Sequence, residues 1–355
     1  MPLPFILVGT AVALAGVGTK KGYDGFQDKS EANSILEKAK RDYDIAARDL
    51  EIDDKKVQQD LEELGELQLD IGKDFNEFQI IAEELLGKLN DASKADIKVD
   101  VPKYQRKRIE RLSMDSITYA GKVVGGSAVA GYAVYGGVMA LAAASTGAPI
   151  SALSGVAAYN ATMAAIGGGS LAAGGLGMAG GAAILGGVVA APALAIAGWA
   201  YASHAEEALS KAKETRDEVR DFQRQAQISR EYLQDTCKYV SKITLCLNRI
   251  RTIFNGYLED LKIVEMAMRR GHGDILDQED NIVRMVENGY AVAAILTDII
   301  TTPLFKVKEN DGVPVVNEDG IPVFEHNEDG TKILNKTKIR KVVEVSKRNA
   351  EQFRE

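Results

Sequence analysis

From Val123 to Ala205 the chain contains no Asp, Glu, Lys or Arg; Lys122 stands before this run and Glu206 after it. Apolar stretches of about 18 residues or more are candidate membrane spans, and this one has room for two or three. More than half of the 34 glycines lie in the run or at its edge. Whatever fold forms must bury the run against protein or give it to lipid. Burial within a soluble bundle is the plainer alternative, since small residues let helices pack closely. Length argues against it. A soluble helix carries a polar stripe, and Val123 to Ser145 offers only Ser127 and two tyrosines.

Whole-chain averages conceal this segregation. The 355 residues are 46% hydrophobic and 26% charged, ordinary values for a soluble protein, and suffice for two domains or one elongated helical body. A net charge of -8 removes any general attraction to nucleic acid, which is not expected as a partner. Cys237 and Cys246 are nine positions apart in a helical pattern. At about 100° per residue they occupy opposite faces and cannot bridge each other, so they read as free thiols.

Two charged rods flank the run. From about Ser30 to Asn90 an apolar residue recurs every seventh position through Leu36, Tyr43, Leu50, Val57, Leu64, Ile71, Phe78 and Leu85. The second seam begins with Ala39 and Ala46, fails at Asp53 and Asp60, and passes to Leu61, Phe75, Ala82 and Leu89. Such drift belongs to one nearly straight helix of roughly 60 residues, about 90 Å long. After Glu206 apolar or small residues continue at alternating three and four spacing through Val219, Phe222, Ala226, Ser229, Leu233, Thr236, Val240, Ile243, Leu247, Ile250, Phe254, Tyr257, Leu261, Val264 and Met268, and Gly271 ends this second long helix. Two rods of like kind and length can lie side by side as a bundle.

Between the rods, Asn90 to Pro102 is a polar break, and a helix is predicted from near Lys103. Its first turns carry Lys103, Arg106, Lys107, Arg108 and Arg111. Thr146 to Pro149 reads as a turn, making the run a helical hairpin. In its second arm small residues recur every fourth position through Ala157, Ala161, Ala165, Gly169, Ala173, Gly177 and Gly181. Rows of this kind let helices approach closely in lipid, where van der Waals contact replaces the hydrophobic effect. With Gly125, Gly137 and Trp199 these are the expected insertion and packing positions. The basic turn is the expected headgroup contact and, if the protein is intracellular, holds both rods on the cytoplasmic side by the positive-inside rule.

The ends are less regular. Residues 1–22 are apolar, with Ala13 and Ala15 in a signal-like spacing but Lys20 and Lys21 after the apolar part instead of before it. A membrane-seeking or core-packing helix fits better than a cleaved signal. Asp280 to Ile300 reads as a shorter helix. In the tail Asp311-Gly312, Asp319-Gly320 and Asp329-Gly330 separate β-prone pieces such as Val313 to Val316 and Ile321 to Phe324. Small hairpins and a final helix from about Lys338 are predicted.

No motif carries catalytic chemistry. Gly175, Gly177 and Gly180 match a dinucleotide fingerprint, but no strand precedes them and no acid follows about 20 residues on. His204, His272 and His326 each lack a second ligand at metal spacing. The Asp-Gly pairs lack the alternating ligands and closing Glu of a calcium loop. Asn160 and Asn335 head formal glycosylation sequons, the first inside the apolar run. The paired carboxylates of the long helices read as a solvated face. The chain is therefore expected to be non-enzymatic, with no catalytic residue, cofactor or metal.

Long amphipathic helix, apolar hairpin, long amphipathic helix: over residues 23 to 270 this order resembles the α-helical pore-forming toxins of the cytolysin A type. The likeness is architectural, and Gly167 to Gly181 also resembles glycine-zipper segments of bacterial proteins. It implies a hydrophobic element hidden in the soluble form, here Val123 to Ala202, that inserts after rearrangement. A longer, glycine-richer insertion and a β-prone tail depart from the toxins. The expected fold is mainly α, an elongated helical bundle. Its expected parts are an apolar segment at 1–22, a long helix in 23–100, an insertion hairpin in 103–205, a second long helix in 206–270, and a helix, β-hairpin tail and last helix in 271–355. The expected partners are a lipid bilayer and further copies of the chain or a related helical protein. A cytoplasmic soluble form that becomes membrane-associated is expected, with secretion the alternative. The competing functional reading is a coiled-coil scaffold or membrane-anchored adaptor, as in bacterial stress or antiviral defence, whose partner does the chemistry.

Overall fold

A computed structural model describes residues 20–94, 96–120, 129–134, 205–271, 274–310, 313–315, 323–328 and 331–353. These residues are mainly helical: α1 (Lys20–Ser93), α2 (Lys103–Ala120), α3 (129–134), α4 (Ala205–Arg269), α5 (Glu279–Ile300) and α6 (Lys336–Glu351). The described residues fall into two compact units, 20–56 with 205–235 and 57–134 with 236–353.

The heptads account for the long helices. Along α4 every seventh residue is buried, through Ala212, Val219, Ala226, Leu233, Val240, Leu247, Phe254 and Leu261. The α1 positions Val57, Leu64, Ile71, Phe78 and Leu85 are likewise buried. In the first unit Ala32 packs with Ala212, the Tyr43 and Phe222 rings lie 4.8 Å apart, and Arg230 reaches Asp49 and Asp53. Partner numbers climb together, so α1 and α4 run parallel there, the arrangement of a parallel coiled coil.

The same direction holds within the second unit, where Arg251 meets Asp74, Lys262 meets Glu77 and Arg269 meets Glu84. Its core is an aromatic cluster. Phe254 lies 5.2 Å from both Phe75 and Phe78, and Phe78 lies 5.2 Å from Tyr290 of α5, two of the contacts edge-on, a favoured geometry for rings. Tyr290 comes so close because Gly289, beside it, has no side chain; a Cβ there would stand 2.3 Å from the Phe78 ring. Helix α4 ends where Gly271 takes φ +74, a left-handed conformation that glycine adopts without steric cost. A short 3₁₀ turn, Leu276–Gln278, then leads into α5.

The tail is more closed than a row of hairpins. Strand β1 (Glu309–Asn310) pairs antiparallel with β2 (Val313–Pro314). Beyond them the backbone bonds form rings. Lys306 N–H donates to Ile333, Ile333 to Glu325, and Glu325 back to Lys306; Lys308, Val323 and Val315 form a second such ring. Each ring residue spends both its donor and its acceptor inside the ring, so none presents a free strand edge. Phe305, Phe324 and Leu334 fill the interior.

Candidate functional site

The uncharged run and its basic lead-in are the functional candidates. Of the run, only 129–134 and Ala205 are described. Gly125, Gly137, Ala157, Ala161, Ala165, Gly169, Ala173, Gly177, Gly181 and Trp199 lie outside the described residues, as do the Thr146–Pro149 turn, the Gly175 fingerprint, His204 and His272. Among the described residues no helix is long and apolar enough to cross a membrane.

The five basic residues of α2 divide between solvent and protein. Lys103 and Lys107 are exposed. Arg106 lays its guanidinium 5.0 Å from the centre of the Tyr290 ring, a cation–π placement. Arg108 donates to Asp298 Oδ1 at 2.8 Å and to Thr301 Oγ1 at 3.0 Å, while the Thr301 hydroxyl donates to the Thr297 carbonyl. Half-buried Arg111 acts on Asp115, whose carboxyl burial pushes up to about 6 against the lowering effect of that arginine. In this conformation Arg106 and Arg108 therefore hold α2 on α5, and the two lysines face water.

Further along, the start of the run is seated on α1. A Cβ on Gly72 would stand 2.0 Å from Ser116 Oγ, and one on Gly65 would stand 2.1 Å from the Val129 carbonyl oxygen. Both glycines exist for proximity, since any larger residue would push α2 and α3 away. Ser116 donates to the Leu112 carbonyl at 2.7 Å and lies 3.0 Å from Tyr132 Oη. A hydroxyl has one proton, so the tyrosine is the donor of the second bond. Ala130, Tyr132, Ala133 and Val134 are all buried. The first described turns of the run are thus packed within protein, with Val129 alone half-buried.

Elsewhere the chemistry is sparse. Among the described residues no group of three or more His, Cys, Asp or Glu is placed to hold a metal. Cys237 and Cys246 are free, and the buried Cys246 thiol donates to the Val343 carbonyl at 3.9 Å. His326 pairs with Lys332 across the tail, and Asn335 precedes the first turn of α6. One surface was missed by motif reading. Lys336–Glu351 carries six cations against two carboxylates, and that charge pattern was the available signal. Comparisons with protein-family models, with curated proteins and with solved structures each return no match.

Proposed function

We propose that this chain is a membrane-active, non-enzymatic helical protein that inserts the hairpin of residues 103–205 into a bilayer and oligomerises there, permeabilising it. The observation that carries this reading is the uncharged run itself, long enough for a membrane hairpin in a chain otherwise rich in charge. Supporting it, the run begins as a buried turn seated on α1, which fits a stored form that must let go before insertion. The small-residue rows from Ala157 to Gly181 pack inserted hairpins together. The coiled rods supply the soluble body, and copies of the chain or a related helical protein supply the assembly.

Release of a trapped dye from liposomes tests this. Wild-type protein is expected to cause leakage, and a Gly169→Leu, Gly177→Leu, Gly181→Leu variant to lose it. No leakage and no membrane binding by the wild type overturns the proposal. A scaffold or adaptor reading is favoured by a different observation: Ile45 and Ile52, one heptad apart on α1, stand more than half exposed, at 52% and 56%, a spacing suited to a helical partner. Flotation with lipid without leakage supports that reading.

A further inference from the structure

Helix α6 has two unlike faces. Ile339, Val343, Ser346 and Ala350 are buried, and the helix is tied to α4 at its middle and just past its C-terminal end: the Val343 carbonyl accepts from Cys246, and the Phe353 carbonyl accepts from Tyr257 Oη at 3.4 Å. Opposite, at helical spacing, Lys338, Lys341, Val345 and Arg348 form an exposed ridge, and beyond the exposed Glu344 at its edge Arg340 and Lys347 stand on its flank. On α4, Arg249 is exposed as well, three residues beyond the Cys246 that α6 covers.

What sets this surface apart is how many unpaired cations it gathers on one short helix. On the long helices Arg41, Lys55, Arg224, Arg251, Lys262 and Arg269 each sit against a carboxylate. Among the described residues none of Lys338, Arg340, Lys341, Lys347 and Arg348 makes an ion pair. Lys336–Glu351 has a net charge of +4, six cations less two carboxylates, within a chain of -8, which leaves -12 elsewhere. Its first turn holds no acid, so Lys336 and Lys338 add to the positive end of the helix dipole instead of offsetting it. That placement costs helix stability and concentrates positive potential.

We propose that the outward face of α6 docks the protein on anionic lipid headgroups. The occupant follows from shape and charge. Because the apolar stripe is already spent on α4 and α5, the helix cannot bury itself in acyl chains, and its convex ridge offers cations to a flat surface. Nucleic acid is disfavoured by the net charge of -8 on the whole chain, and the face carries no aromatic residue for stacking on bases. Docking of this kind is electrostatic and reversible. It rests on the proposed membrane function and assigns the first encounter to α6, where the lead-in of α2 has Arg106 and Arg108 engaged with protein.

Flotation of the full-length chain with phosphatidylcholine vesicles, with and without phosphatidylglycerol, tests the surface. The wild type is expected to float only with the anionic vesicles and to be released by high salt. A Lys338→Gln, Lys341→Gln, Arg348→Gln variant is expected to bind about 100-fold more weakly, at about five-fold per cation. An Arg340→Gln, Lys347→Gln variant tests the flank and is expected to lose less. Flotation unchanged in the triple variant overturns the proposal. So does a wild type indifferent to phosphatidylglycerol, or a triple variant that loses only oligonucleotide binding or self-association. The two readings fail separately. Flotation that needs α6, with no leakage by wild type, refutes insertion alone; leakage equally strong in the triple variant refutes the α6 surface alone.

Discussion

Arg230 of α4 donates through Nε to Asp53 Oδ2 at 2.8 Å, and its Nη1 lies 3.3 Å from Asp49 Oδ2. Asp53 is the seam position at which the α1 heptad turns acidic, so the break in the apolar pattern is answered by a cation on the neighbouring helix. A polar pair in a coiled-coil seam fixes register and partner direction at some cost in stability.

A double-mutant cycle of Asp53→Ala and Arg230→Ala is expected to give a coupling of about 1 kcal/mol by chemical denaturation. The side chains are 18% and 28% exposed, which places the pair between a surface bridge and a buried one. Additive single effects would show that the pair does not set the register.

Four helical glycines separate packing from propensity. Gly65→Ala is expected to cost about 2 kcal/mol, because the new methyl meets the Val129 backbone oxygen, which cannot rotate aside. Gly72→Ala is expected to be similar, since Ser116 can yield only by giving up its bonds to Leu112 or Tyr132. At Gly87 and Gly256 nothing lies within 4 Å of a new Cβ, and alanine there is expected to stabilise by about 0.5–1 kcal/mol. Thermal melts of the four variants check this. Equal effects at all four sites would remove the seat of α2 and α3 on α1.

How much of this was legible follows from how local each signal is. The heptads placed both rods, and α4 runs Ala205–Arg269 where the sequence predicts 206–270. Helix α1 begins earlier than its first seam residues, at Lys20; Gly22 and Gly25 lower helix propensity without ending the helix. Direction was not legible, because a heptad reads the same for either orientation. Asp53 looked like a failure because its partner is 177 residues away. Gly65 and Gly72 carry no sequence signal of their role, which lies in the approach of Val129 and Ser116. In the tail, Asp-Gly pairs announce neighbouring hairpins, but the pairing of Phe305 with Leu334 joins the ends of the segment and no local pattern carries it. Arg106 and Arg108 were legible as charge and not as ligands of α5, since Tyr290 and Asp298 are far along the chain.

Asp115 gives the α2–α3 seat a pH dependence of definite sign. Its carboxyl is raised from 3.8 to about 6 in the fold, so the folded state favours the protonated acid. This contribution is fully present below about pH 4 and is lost as pH rises through about 6. Asp115→Asn is expected to stabilise the protein at pH 7 by about 1–2 kcal/mol, after discounting for the partial exposure of the group, and to flatten the stability profile between those limits. Acid therefore tightens the seat as far as this residue is concerned. Denaturation midpoints that fall between pH 7 and 5 in wild type and not in the variant would reverse the assignment.

Lys332 in the tail has the opposite dependence. It is 5% exposed, with Nζ 5.9 Å from the centre of the Phe305 ring and 5.6 Å from that of Phe324. Burial lowers its ammonium from 10.5 to about 8, while the ring faces favour the charged form. The folded state holds this proton less tightly than the unfolded chain. Stability is therefore expected to rise with pH between about 8 and 10.5 and to gain nothing from this residue below that window. Lys332→Met keeps the stem against the two rings and removes the titration. Chemical denaturation at pH 7 and pH 10 reads the effect: the variant is expected to lose the alkaline rise that the wild type shows. An equal rise in both proteins would mean that the Lys332 ammonium is not destabilised by burial between the two phenylalanines.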